Sequence, residues 1–103
     1  MRQTAPLMLC ALILSASAAQ AAATPAADRP DAKQLAHACA GCHGTYGHSE
    51  APTPRLARMP TEEFLAAMRD FKSRQRTSSV MNRIASAYTD EDFVSMAQFF
   101  AKQ

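Results

Sequence analysis

The stretch Cys-Ala-Gly-Cys-His at residues 39–43 constrains this chain more than any other part of it. Two cysteines are separated by two residues, and a histidine follows the second cysteine directly. The one remaining cysteine, Cys10, lies far upstream. A pair of thiols at this spacing is typical of a redox dithiol, a disulfide, part of a zinc site or an attachment point for haem. The rest of the sequence has to decide between these four.

The first 21 residues are typical of a secretory signal peptide. Arg2 gives a positive start, residues 7–14 form an apolar run, and Ala19-Gln20-Ala21 is a small-residue cleavage site. The apolar run is much shorter than the roughly 20 residues of a membrane-spanning helix, so no membrane anchor is expected after cleavage. We therefore predict that residues 1–21 direct export to the periplasm and are then removed.

Removal of the signal peptide would leave Cys39 and Cys42 as the only thiols. Loss of Arg2 would lower the net charge from +2 to about +1, and so balanced a charge does not favour binding to nucleic acid. Residues 22–30 are rich in Ala and Pro and are predicted to form a linker. Residues 31–103 would then form one small folded domain.

A domain this small buries little apolar surface and usually needs a disulfide, a metal or a large apolar ligand. A Cys39–Cys42 disulfide would add little core and leave His43 without a role. A zinc site needs four ligands, and adjacent Cys42 and His43 fit poorly around one tetrahedral ion. A thioredoxin-like dithiol expects a βαβ pattern, which the sequence lacks. Haem fits best, because two thiols at this spacing can bond to its vinyl groups, the histidine can bind its iron, and its ring fills the core.

The helix signals predict an all-α domain with three main helices. Asp31 and Gln34 form a capping box for a first helix that runs from Ala32 to about residue 39 or 40. Residues 44–60 contain two glycines and three prolines, so we expect a long loop there.

Two further main helices follow this loop. Thr61 is expected to cap the second helix, which ends near Ser73. A helical turn is expected at residues 81–85, and Thr89 with Asp92 begins the last helix. Apolar residues at helical spacing predict a buried stripe on each of these two helices: Phe64, Leu65, Met68 and Phe71 on the second, and Phe93, Met96, Ala97 and Phe100 on the last.

A haem iron bound by His43 would have a second axial position. The candidate ligands are Met59, Met68, Met81, Met96, His37 and His48. Met68 and Met96 lie on the apolar stripes and are expected to be core residues, and the two histidines are expected to be exposed. Met81 lies between two helices, where the chain can cross the distal face, so we favour Met81 and keep Met59 as the alternative. Two filled positions favour electron transfer over oxygen chemistry.

These features resemble the class I c-type cytochromes over essentially all of the chain after the signal peptide. CAGCHGTYGHS at residues 39–49 is similar to the start of small bacterial members. PRLA at residues 54–57 is similar to the Pro-x-Leu of the family, and VMNRIASAYTDEDF at residues 80–93 is similar to the stretch that holds the axial methionine. The resemblance implies a class I cytochrome c fold, with three main helices around one covalently attached haem c.

The resemblance also implies roles for individual residues. Cys39 and Cys42 would hold the haem, and His43 and Met81 would bind its iron. The carbonyl of Pro54 would accept a hydrogen bond from the proximal histidine, a contact that orients a metal ligand. Leu56 would pack on the haem. Independently of the resemblance, three polar residues are candidates either for hydrogen bonds to the haem propionates or for ordinary surface and packing positions: Tyr46, Arg55 and Tyr88.

A closer resemblance is to the cytochrome subunit of flavocytochrome c sulfide dehydrogenase. It rests on APTPRLARMP at residues 51–60, FLAAMRDFKS at residues 64–73 and VMNRIASAY at residues 80–88. It implies that the chain is an electron carrier and not an enzyme. An FAD-containing subunit would oxidise sulfide and pass electrons to the haem, which would deliver them to a soluble acceptor such as another cytochrome c. Some members have two haem domains, whereas the single motif predicts a mono-haem form.

Two alternatives stay open. One is a free-standing cytochrome c shuttle that serves an oxidase or another dehydrogenase. Its docking patch would be a basic cluster at the end of the second helix: Arg69, Lys72, Arg74 and Arg76. The other is a haem enzyme or gas sensor with an open iron position.

Overall fold

The computed structural model describes residues 28–103. The predicted signal peptide, and residues 22–27 of the predicted linker, lie outside the described residues. The helices are α1 Ala32–His37, α2 Ala40–His43, α3 Thr61–Lys72, α4 Met81–Ala85 and α5 Asp90–Ala101, and a 3-10 turn at Thr45–Gly47 follows α2. Residues 28–103 contain no strand, so the predicted all-α class is confirmed. None of the helices in this part combines the length and apolar character that crossing a membrane requires.

Two helices begin at the capping boxes that the sequence predicts. A carboxylate oxygen of Asp31 accepts the N–H of Gln34 at 2.8 Å, and the Gln34 side chain accepts the N–H of Asp31 at 3.0 Å. Thr89 and Asp92 make the same reciprocal pair at 3.2 and 2.9 Å. Each box satisfies two helix-end amides, and so it fixes where α1 and α5 begin.

Helix α3 begins at Thr61, as predicted, but its cap differs from the prediction. Pro60, with φ −55° and ψ 137°, occupies the cap position, and Thr61 is the first helical residue. The predicted cap at Thr61 was therefore wrong. No side chain caps α3, but Glu62 and Glu63 lie in its first turn, where negative charge is favourable.

The first helix ends at His37, two or three residues before its predicted end, and a short helix that was not predicted follows it. The amides of Ala38 and Cys39 bond to carbonyls three residues earlier, at 3.3 and 3.1 Å. This tightening ends α1 at His37, and the chain becomes helical again at Ala40. As a result, Cys42 and His43 lie on a separate short helix, α2.

The hydrophobic core forms where α5 packs against α1 and α3. The predicted stripe of α5 is almost completely buried, with no member more than 1% exposed: Phe93, Met96, Ala97 and Phe100. Phe64, Leu65 and Met68 of α3 join this core. Met68 and Met96 are therefore core residues, as predicted. Phe71, the last residue of the α3 stripe, is only half-buried and faces a cavity.

Polar contacts tie the end of α3 to the region before α5. The guanidinium of Arg69 donates to both carboxylate oxygens of Asp90, at 2.6 and 2.7 Å. Lys72 donates to the carbonyl of Tyr88. These contacts hold α3 and α5 together around the intervening segment that carries α4.

Candidate functional site

A cavity of about 590 Å³ lies between α2, the loop before α3, the outer part of α3 and the segment that carries α4. Its size is within the range of about 300–1,000 Å³ that is usual for cofactor sites. The lining is mostly apolar and includes five of the sequence-predicted site residues: Cys39, Cys42, His43, Pro54 and Met81. The fold therefore brings the motif together with residues from two distant parts of the chain.

His43 is buried, with 9% of its surface exposed, and its Nδ1 atom lies 2.6 Å from the carbonyl oxygen of Pro54. A carbonyl oxygen only accepts hydrogen bonds, so Nδ1 must carry the hydrogen and donate it. In a neutral ring, Nε2 is then the nitrogen with a free lone pair. This is the state in which a histidine binds a metal ion, and a carbonyl on its other nitrogen is the usual orienting partner.

The loop that carries Pro54 is held against the 3-10 turn by Gly47. The carbonyl of Gly47 accepts the amides of Leu56 and Ala57 at 2.9 and 3.0 Å. A Cβ atom at Gly47 would lie 2.8 Å from the Cβ of Leu56 and 2.9 Å from the ring of Phe100, and its φ is +78°. Only glycine fits this position. The close approach of the two segments brings the Pro54 carbonyl to His43.

Leu56 lies in the hydrophobic core, where it is 8% exposed, and it is not among the residues that line the cavity. A contact between Leu56 and a bound group stays a prediction.

The two cysteines of the motif are free thiols that face the same cavity. Cys39 is half-buried and Cys42 is exposed. Burial, followed by the nearby charge of Cys42, raises the pKa of the Cys39 thiol. Redox-active and nucleophilic cysteines have a lowered pKa, because the thiolate is the reactive form. The environment of Cys39 is therefore unlike that of a catalytic dithiol.

Two methionines line the cavity. Met81 is the first residue of α4, Met59 lies in the loop before α3, and both are half-buried. Both residues therefore border the space that a bound group would occupy. His37 and His48 are exposed, as predicted, and neither lines the cavity.

Of the three polar residues considered at the haem propionates, only Tyr88 lines the cavity. Burial, and then the charges of Cys39 and Asp92, raise the pKa of Tyr88. The ring of Tyr46 instead lies 6.1 Å from that of Phe99. Arg55 donates to Nδ1 of His48 at 2.7 Å.

Some other residues of the cavity wall were not predicted as site residues, among them Ser78, Val80 and Ile84. Val80 and Ile84 are 50% and 39% exposed, which is unusual for apolar side chains of this size. The helical turn at residues 81–85 was predicted, but the face that it presents to the cavity was not. The sequence signal that could have found this wall is the pair of branched apolar residues, Val80 and Ile84, in a mostly polar segment.

The donors around the cavity fit a flat apolar group that contains iron. A neutral imidazole and thioethers are suitable ligands for haem iron, two thiols are placed for covalent bonds, and the walls are apolar. A bare metal ion is a different case. Within residues 28–103, no three His, Cys, Asp or Glu side chains are grouped closely enough to hold one.

No protein-family model matches the chain, but individual proteins do. It is 42% identical to the cytochrome subunit of sulfide dehydrogenase from Chlorobaculum tepidum, over 64% of this chain and 60% of that protein. It is 34% identical to cytochrome c4 of Pseudomonas aeruginosa, over 76% of this chain and 39% of that protein. It is also 34% identical to the thiosulfate dehydrogenase electron acceptor of Stutzerimonas stutzeri, over 86% of this chain and 42% of that protein. The chain thus matches less than two thirds of the length of each relative.

These relatives are c-type cytochromes. They agree with the Cys-Ala-Gly-Cys-His motif at the cavity wall and with the all-α fold of residues 28–103. The chain is therefore a class I c-type cytochrome, a member of a family of electron carriers that contain haem c.

Proposed function

We propose that the chain is a periplasmic electron-transfer subunit with one covalently bound haem c. It accepts electrons from an FAD-containing sulfide dehydrogenase subunit and passes them to a soluble acceptor such as another cytochrome c. The observation that carries the haem site is the buried His43, whose Nδ1 is bonded to Pro54 and which faces an apolar cavity beside Cys39 and Cys42. The 42% identity to a sulfide dehydrogenase cytochrome subunit supports the choice of electron donor.

Different residues around the cavity would bind different parts of the haem. Cys39 and Cys42 would form the thioether bonds, and His43 would bind the iron through Nε2. Met81 would supply a second iron ligand, with Met59 as the competing candidate. When bound, haem c supplies a centre that takes up and releases one electron at a time.

The surrounding protein would tune this centre. The Pro54 carbonyl fixes the tautomer of His43 and makes the ring a stronger donor. A thioether from Met81 is a soft donor that favours the reduced iron, so a histidine and methionine pair raises the reduction potential. The apolar walls would limit the access of water to the group, and solvent access is one of the factors that set its reduction potential.

The proposed domain organisation follows from the same assignment. Residues 1–21 direct export and are removed, residues 22–30 form a linker, and residues 31–103 form the haem domain. Attachment of haem c to the motif would then take place on the exported chain. N-terminal sequencing of the protein recovered from the periplasm tests this, with a mature terminus near residue 22 as the expected result.

A reduction experiment tests the electron donor. The chain is produced with haem-attachment machinery, mixed with a purified flavoprotein sulfide dehydrogenase subunit, and given sulfide under anaerobic conditions. The haem should become reduced at a rate that depends on the flavoprotein, and the two proteins should co-elute on size exclusion. Sulfide without the flavoprotein is the control. If the haem is reduced equally fast in both samples, the proposed donor is wrong.

A second candidate function is a free-standing shuttle, and the similarity to cytochrome c4 and to a thiosulfate dehydrogenase electron acceptor favours it. The structure limits its docking patch, because Arg69 and Lys72 of the predicted basic cluster are bonded to Asp90 and Tyr88 within the molecule. Charge-steered encounter is sensitive to salt. A steep fall in the reduction rate with added salt would favour the shuttle, and a salt-insensitive rate would favour a permanent complex.

A further inference from the structure

The start of α4 is held in an unusual way. Its cap residue, Val80, makes no side-chain capping bond. Ser78 takes over this role from two positions earlier, because its hydroxyl oxygen accepts the N–H of Asn82 at 3.0 Å. The hydroxyl and the N–H of Ser78 in turn both donate to the Asn82 side-chain oxygen, at 2.9 and 3.0 Å. Ser78 and Asn82 are thus locked together by three hydrogen bonds.

The side-chain nitrogen of Asn82, Nδ2, connects the Ser78–Asn82 pair to α3. It donates to the carbonyl of Phe71, at the end of α3, at 2.9 Å, and to the carbonyl of Arg76 at 2.7 Å. A side-chain amide has two donor hydrogens and an oxygen with two acceptor positions. Asn82 uses all four, and in doing so it joins α3, the connecting segment and α4.

Polar contacts, and not apolar packing, hold the connecting segment. Its other ties to α3 are backbone bonds, among them those from Gln75 and Arg76 to the Asp70 carbonyl, and the Arg76 guanidinium, which lies 4.9 Å from the centre of the Phe71 ring. Residues 73–77, 79 and 80 are exposed, so few apolar contacts fix the path of the chain between the two helices. Arg74 has a φ of 64°, in the left-handed region that a non-glycine residue rarely adopts. A segment of this kind depends on its specific hydrogen bonds.

The bonded residues surround Met81. Phe71 and Ser78, which lie on either side of the connection, both line the cavity with Met81. Met81 directly precedes Asn82, so the position of the Asn82 backbone fixes where the Met81 side chain begins. Movement of α4 relative to α3 would carry the Met81 sulfur with it.

We propose that Asn82 is a positioning residue that holds Met81 at the cavity wall and thereby stabilises its thioether as the second axial ligand of the iron. The inference rests on the proposed function, in which Met81 is that ligand. Asn82→Ala would lose all four hydrogen bonds of the Asn82 side chain. Asn82→Asp would keep an oxygen that accepts from Ser78, but its second oxygen would repel the carbonyls of Phe71 and Arg76.

The test uses the holoprotein and the variants Asn82→Ala and Ser86→Ala. The Ser86 hydroxyl bonds only to the carbonyl of Arg83 within the same helical turn, so Ser86→Ala is a control for general weakening of α4. Two signals are followed as the oxidised protein is heated: the far-red methionine-to-iron charge-transfer band and helical circular dichroism. In Asn82→Ala the band should disappear at a lower temperature than the helices unfold. The equilibrium constant for methionine dissociation should rise by about tenfold, as expected for the loss of an ordinary hydrogen-bond network.

A parallel measurement is carbon monoxide binding to the reduced protein, which should be faster in Asn82→Ala and unchanged in Ser86→Ala. If Asn82→Ala fails to mature, Ser78→Ala provides a milder form of the same test, because it removes the hydroxyl that donates to the Asn82 side-chain oxygen and accepts the Asn82 backbone N–H. The inference is overturned if the band and the helices are lost together in the Asn82 or Ser78 variant. If the band of the wild-type protein instead survives Met81→Ala, the ligand assignment itself is wrong, and that outcome overturns both proposals.

Discussion

The Nδ1 atom of His43 lies 2.6 Å from the carbonyl oxygen of Pro54, although the two residues belong to different segments of the chain. His43 ends the short helix α2, whereas Pro54 lies in an irregular loop. The bond therefore does more than satisfy a buried ring nitrogen. It sets the tautomer of a histidine whose other nitrogen would face a bound metal.

Replacement of His43 by alanine should abolish the low-spin spectrum of the holoprotein, because the iron loses its nitrogen ligand. His37→Ala is the matched control, since His37 is exposed and lies outside the cavity. Absorption and electron paramagnetic resonance spectra measure the spin state. If the spectrum of His43→Ala remains low-spin, or if His37→Ala loses it, His43 is not the ligand.

The two thiols of the motif should each carry one covalent bond to the haem. After denaturation, the wild-type chain should therefore retain one haem, seen as an increase in mass and as haem staining on a denaturing gel. Cys39→Ser and Cys42→Ser should each keep a single-bonded haem at reduced yield, and the double variant should keep none. Retention of covalent haem by the double variant would show that the attachment lies elsewhere.

Replacement of Met81 by alanine should remove the methionine-to-iron charge-transfer band, allow the reduced protein to bind carbon monoxide and lower the reduction potential. Met59→Ala is the matched control, because Met59 is a half-buried methionine of the same cavity. It should leave all three properties close to wild type. The opposite result would assign the ligand to Met59. If wild-type protein binds carbon monoxide readily, the open-iron alternative is favoured.

The parts of the fold that could be predicted are those set by residues close together in the sequence. Each capping box is complete within four residues, so Asp31 and Thr89 marked the starts of α1 and α5 correctly. The start of α3 at Thr61 was also predicted correctly, but its cap was not, because Pro60 and Thr61 are both acceptable at a helix start and only the backbone path decides which of them takes the cap position. Local signals of similar strength cannot be ranked without the rest of the fold.

The candidate site shows the same limit. The spacing of Cys39, Cys42 and His43 was informative because all three belong to one short segment. The choice between Met59 and Met81 depends on how two distant loops fold over one cavity, and both in fact line it. The role of Asn82 was not visible at all, because its partners Phe71 and Arg76 become neighbours only when the connecting segment folds back on α3.

The Asp92 carboxylate should make the stability of the domain depend on acid pH. Burial alone would raise its pKa, but hydrogen bonds from the Thr89 backbone and from the Arg29 guanidinium, at 2.9 Å each, outweigh burial and hold the pKa below its ordinary value. A group of this kind stabilises the folded state fully above its unfolded pKa of about 3.9 and loses that contribution as the pH falls through the lower folded value.

Asp92→Asn should therefore lower the free energy of unfolding by about 1 kcal/mol at neutral pH, the usual size of a capping contribution. The difference from wild type should narrow as the pH falls from about 4 through the lower folded pKa of Asp92, because the unfolded chain takes up a proton near pH 4 and the folded carboxylate does so only at a lower pH. Urea unfolding of both holoproteins across this range measures the difference. Glu91→Gln, which changes an exposed carboxylate of the same helical turn, is the control and should show a smaller effect at neutral pH. A difference between Asp92→Asn and wild type that stays constant down to pH values well below the ordinary pKa would show that the charge of Asp92 contributes nothing, and that the side chain stabilises α5 only through its shape and neutral hydrogen bonds.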